Sequence, residues 1–114
     1  MSDRVIFTGG RDYHDWDAVS TLVKALPDNV TVVVGDAKGA DFMVRKAAKD
    51  RGLTVEEHKA EWEKYGKKAG PIRNQKMVDG GAYLCVAFPG GDGTEDCVRR
   101  AHEAGIPVKR AMRA

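Results

Sequence analysis

The chain lacks most of the features that assign a protein to a specialised class. It has two cysteines in 114 residues, Cys85 and Cys97. They form neither a zinc-binding spacing nor a dense disulfide frame, so a reducing, cytoplasmic setting is expected. No apolar run approaches the ~20 residues of a membrane span. The opening Met1-Ser2-Asp3-Arg4 has no charged-then-apolar build of a secretion signal. With 19 Lys and Arg against 17 Asp and Glu, the net charge is only +2, which leaves no overall basic field to attract nucleic acid. Aromatic residues are few, at 7%, and there are four prolines. No carboxylate–histidine cluster has metal-ligand spacing. The three histidines, His14, His58 and His102, are scattered.

What remains is a globular composition, 42% hydrophobic and 32% charged, with 13 glycines. At this length the chain holds one domain spanning residues 1–114, with no linker, repeat or low-complexity segment. The pattern alternates strand and helix. Residues 4–8 form an apolar run closed by Gly9-Gly10. Trp16, Val19, Leu22, Val23 and Leu26 then follow helical spacing up to Pro27, with Trp16 expected in the core. A β-branched strand covers residues 30–34, and a helix covers 40–51 with Gly52 behind it. A third strand covers 53–58. After a polar stretch, Pro71 suits the first turn of a helix running through Met77. Residues 82–88 are the longest apolar run and read as a central strand buried on both faces. A last helix covers 93–104, and a short strand starts at Ile106. This order predicts an α/β fold: a single Rossmann-like domain, with a five-stranded, mainly parallel sheet and helices on both faces.

In such sheets, ligands bind at the carboxyl ends of the strands, where strand order reverses. Three strand ends carry glycine-rich turns that lead into helices. They are Thr8-Gly9-Gly10-Arg11-Asp12, Gly35-Asp36-Ala37-Lys38-Gly39-Ala40-Asp41, and Pro89-Gly90-Gly91-Asp92-Gly93-Thr94. Glycine lets the backbone approach an anion, and the helix that follows offers open N–H groups and the positive end of its dipole. Arg11 and Lys38 add charge, and Thr94 adds a hydroxyl donor. Together the turns point to a phosphate-bearing ligand. Glycine can also close such turns for steric reasons, and Lys38 can be a solvated turn residue. Neither a dinucleotide fingerprint after the first strand nor a Walker loop is present.

Asp41, in the first turn of its helix, reads as a sugar ligand or a helix cap, and Asp12 and Asp15 read as caps. Trp62 and Tyr65 either stack on a base or cover the sheet edge. Cys85 and Cys97 read as buried small hydrophobes, with a nucleophilic Cys97 as the alternative. Arg99, Arg100, Lys109, Arg110 and Arg113 form one basic run, and Lys64, Lys67 and Lys68 another.

These turns, with Ala60-Glu61-Trp62, Gly70-Pro71-Ile72-Arg73-Asn74-Gln75-Lys76-Met77 and Phe88 ahead of the third turn, resemble the YspA-like (YpsA-related) branch of the SLOG superfamily. That superfamily includes the DNA-processing protein DprA and the Lonely guy phosphoribohydrolases. The resemblance covers roughly residues 3 to 110. It implies a pocket for a nucleotide or a derivative of NAD or ADP-ribose, bound without a required cofactor. Its related members pair through helices, so it also implies a homo-oligomer.

On this reading, Gly9, Gly10, Arg11, Gly35, Lys38, Gly39, Gly90, Gly91, Gly93 and Thr94 hold the phosphates, and Thr8 is a further ligand-binding residue. Asp41 takes the ribose, and Arg73 with Asn74 closes the pocket. The Lonely guy motif Pro-Gly-Gly-x-Gly-Thr-x-x-Glu ends here at Cys97, with Glu95 and Asp96 one and two residues early. A shift of that size rotates the acid by ~100–200° on a helix and is expected to turn it from the pocket. Binding, by sensing or sequestering, is therefore expected ahead of cleavage of an N-glycosidic bond. A DprA-like single-stranded nucleic-acid surface is the remaining alternative. No catalytic residue is assigned.

Overall fold

The computed structural model describes residues 3–111; Met1, Ser2 and Arg113, used above, lie outside the described residues. The elements are β1 (Arg4–Thr8), α1 (Trp16–Lys24), β2 (Thr31–Gly35), α2 (Ala40–Arg51), β3 (Thr54–His58), α3 (Trp62–Tyr65), a 3-10 turn (Gly66–Lys68), α4 (Ala69–Asp79), β4 (Leu84–Ala87), α5 (Asp92–Glu103) and β5 (Val108–Arg110). The strands form one sheet in the order β3-β2-β1-β4-β5, and every neighbouring pair is parallel. The fold is a Rossmann-like α/β domain. The chain winds outward from β1 to β3, then returns across the sheet to lay β4 on the other side of β1. Strand order reverses there, between β1 and β4.

Period-2 alternation divides the core in two. Val5, Phe7, Val32 and Val34 face one way, onto Val19 and Val23 of α1 and Met43, Val44, Ala47 and Ala48 of α2. Ile6, Val33 and Cys85 face the other way, onto Met77 and Val78 of α4 and Cys97 and Ala101 of α5. β1 is therefore the middle strand. The 82–88 run is an interior strand, buried on both faces but beside the centre.

Helix ends follow their local chemistry. Asp15 caps α1 by accepting from Ala18 N at 3.1 Å. Gly52 ends α2 with φ +82°, a left-handed conformation that costs glycine little. Two expectations need correction. Trp16 is not core: it is the first residue of α1, at the carboxyl edge of the sheet, and it overhangs the core with 39% of its surface exposed. The last strand starts at Val108 instead of Ile106. Ile106 is buried in the second core, and Pro107 has no N–H to give to a ladder, although its carbonyl accepts from Cys85 N. Among the described residues, no helix is long and apolar enough to cross a membrane.

Candidate functional site

Because the strands are parallel, their carboxyl ends share one edge, and the three glycine-rich turns meet there. One residue joins them. Gly10 N donates to Pro89 O at 2.9 Å, while Gly10 O accepts from Ala40 N at 3.1 Å. Contact this close needs glycine. A Cβ on Gly90 would strike the Thr94 hydroxyl and the Gly10 backbone, and one on Gly39, held at φ +71°, would strike the Gly10 and Arg11 carbonyls.

The turns frame a cavity of about 990 Å³, at the upper end of the usual range for small-molecule sites. Of the anticipated residues, Thr8, Gly9, Gly10, Arg11, Lys38, Asp41, Arg73, Asn74, Gly91, Gly93 and Thr94 line it. Gly35, Gly39 and Gly90 do not. Gly39 and Gly90 are the close-packed glycines just described, and a Cβ on Gly35 would collide with the Arg73 guanidinium and the Asp41 carboxylate. These three shape the site from behind.

Arg73 reaches the sheet edge from α4. Its Nη1 donates to Asp36 Oδ1 at 3.2 Å and its Nε donates to Asn74 Oδ1 at 2.9 Å. Asn74, 3% exposed, also donates to Gly93 O at 3.2 Å and to Asp96 Oδ2 at 3.0 Å. Asp36 is not among the anticipated residues, although its position one residue past β2, at the edge where ligands bind, marks it in the sequence.

Asp41 is 6% exposed on the cavity wall and accepts from Ala37 N at 3.3 Å. Burial raises its pKa above the ordinary carboxylate value and Asp36 adds to this, although Arg73, the Ala37 N–H and Arg45 pull the other way. Asp96 behaves in the opposite manner. Partial burial pulls its carboxyl up, but Arg100, Asn74 and Arg99 outweigh that and hold it below the usual range. Glu95 is held low by a two-pronged pair with Arg110, at 2.7 and 2.8 Å.

The expectation that Glu95 and Asp96 turn from the pocket fails, since both border the cavity. What separates them from a reacting group is their engagement by arginines. The same pairs neutralise Arg99, Arg100 and Arg110 of the basic run. Cys97 is absent from the cavity wall. It is fully buried against Cys85, and that contact together with burial pushes the Cys85 thiol up.

The helix N-termini at the cavity differ from that of α1. α1 has a side-chain cap, whereas α2 and α5 have none. In α5 the N–H groups of Asp92, Gly93 and Thr94 point into the open end of the helix with no partner among the described residues, as the first-turn amides of an uncapped helix must.

A family model described as the YspA, cpYpsA-related SLOG family matches residues 3–65, which include the first two glycine turns and α3. Over 116 aligned residues the chain is 44% identical to the "Gene 61 protein" of Mycobacterium phage D29, covering 92% of this chain and 93% of the phage protein.

Proposed function

Because the chain belongs to the YspA, cpYpsA-related SLOG family, we propose that it binds a nucleotide or nucleotide-derived ligand, with the phosphates on its glycine-rich turns. The observation that carries this reading is the uncapped start of α5. Its open amides, the Thr94 hydroxyl and two cations that form no ion pair among the described residues, Arg11 and Lys38, all border one cavity. Backbone N–H groups with a helix dipole behind them are a ready anion site. Asp41 accepts from a sugar hydroxyl, and Arg73, fixed by Asp36 and Asn74, closes over the ligand. Retention in place of turnover is favoured because Asp96 and Glu95 are held as paired anions, leaving neither as an acid for the glycosidic bond.

Thermal unfolding with a panel of AMP, ADP, ADP-ribose and NAD tests the reading. A ligand at a hundredfold its Kd adds about 2.7 kcal/mol, which raises Tm by on the order of 10 °C in a domain this small. Thr94→Val should abolish the gain. A flat response across the panel would sink the proposal.

One observation favours a second reading, hydrolysis of a nucleoside monophosphate: Asp41 is a buried carboxylate of raised pKa on the cavity wall. Release of free base from nucleoside monophosphates would establish that activity. Intact substrate at high protein concentration would remove it.

A further inference from the structure

The cavity extends well beyond the glycine turns, and its far wall is aromatic. Trp62, at the start of α3, borders it and remains 55% exposed. Its indole lies against Gly70, in the first turn of α4, with Cη2 3.5 Å from where a Cβ would stand. Several other rings carry partners, and the exposed Trp16 and Tyr83, which stack on nothing among the described residues, do not border the cavity. Tyr13 stacks on Phe88, Arg45 lies over Phe42, and Lys64 lies over Tyr65. No ring or cation is stacked on Trp62 among the described residues.

Resting on the nucleotide reading above, we infer that Trp62 is the base platform of this site and that Gly70 and Pro71 form the floor beside it. The ligand then lies along the sheet edge in strand order. Its phosphate sits at the turns after β1 and β4, its sugar at Asp41 after β2, and its base at Trp62 after β3. β3 is two strand positions from β1, about 10 Å, a span that the sugar of a nucleotide bridges. Stacking accepts any flat base, so this end adds affinity without reading a Watson–Crick edge.

The matched probes are ribose 5-phosphate and the four common nucleoside monophosphates, which differ from it only by the base. Calorimetry gives the affinities. Fluorescence in a Trp16→Phe background isolates Trp62, because Trp16 lies away from the cavity. The nucleoside monophosphates should quench Trp62 saturably, and ribose 5-phosphate should bind without doing so. Trp62→Ala should weaken the nucleotides by about tenfold or more and leave ribose 5-phosphate unchanged, with Trp62→Phe restoring most of the loss. Equal losses for both probes, no loss for either, or nucleotides binding no tighter than ribose 5-phosphate would overturn the base platform while the phosphate reading stands. Failure of every probe to bind the unaltered protein would overturn both.

Discussion

Asn74 and Asp96 are joined by a 3.0 Å hydrogen bond from the side-chain amide to the carboxylate, and this bond fastens α4 to α5 at the cavity wall. The same amide donates to Gly93 O and accepts from Arg73 Nε. One buried side chain therefore sets both the start of α5 and the direction of the arginine. Asn74→Ala takes the acceptor from Arg73 Nε and one donor from Asp96, which keep Asp36 and the Arg99 and Arg100 pairs respectively, at a cost of about 2 kcal/mol. The expected result is a Tm lower by on the order of 10 °C and weaker ligand binding. Asn74→Asp should be worse, since it sets a second carboxylate against Asp96.

Gly90 and Gly91 are adjacent but should respond oppositely to alanine. A methyl on Gly90 meets the Thr94 hydroxyl and the Gly10 backbone, whereas one on Gly91 meets nothing within 4 Å. Gly90→Ala should cost about 1–3 kcal/mol by forcing the first and third turns apart. Gly91→Ala should leave the unfolding midpoint nearly unchanged and act on binding alone, through a narrower cavity. Urea titration of both variants, paired with ligand titration, separates the effects.

That contrast marks the limit of what the residues alone disclose. The β-branched runs, Gly52 after α2 and the glycine turns are local signals, so strand order aside, the architecture and the position of the site edge are legible. Glycines that touch a ligand and glycines that let two turns touch each other look identical in sequence. Gly39 and Gly90 belong to the second kind because of backbone about 30 and 80 residues away, respectively. The Arg73–Asp36 pair, 37 residues apart, is hidden for the same reason. Trp16 fits the helical stripe, but nothing local shows that α1 begins where the core has ended.

Asp41 sets up a pH-dependent trade between stability and binding. Its folded pKa is raised, so its contribution to stability is fully present below about pH 3.9, the unfolded carboxylate value. That contribution is lost as pH rises through the folded value and a charge must be kept in the wall. Asp41→Asn, which does not ionise, should raise Tm at pH 7 and give no gain near pH 3. The same variant should bind ligand less tightly. A lower Tm at pH 7 would mean that the Arg73 and Ala37 contacts outweigh burial.

Cys85 and Cys97 are 0% exposed. Neither should react with a disulfide reagent in the folded protein, and both should react at once in denaturant. Rapid modification of Cys97 in the native state would restore it as a nucleophile.

The two bonds of Gly10 bear on which parts of this site can change. With its N–H committed to one turn and its carbonyl to another, the anion end works like a keystone arch in which no stone shifts alone. The α3 segment hangs outside that arch. Substitutions from Glu61 to Lys68 should therefore change which ligand is held without disturbing the arch, so that anion binding and ligand choice reside in separate parts of the chain.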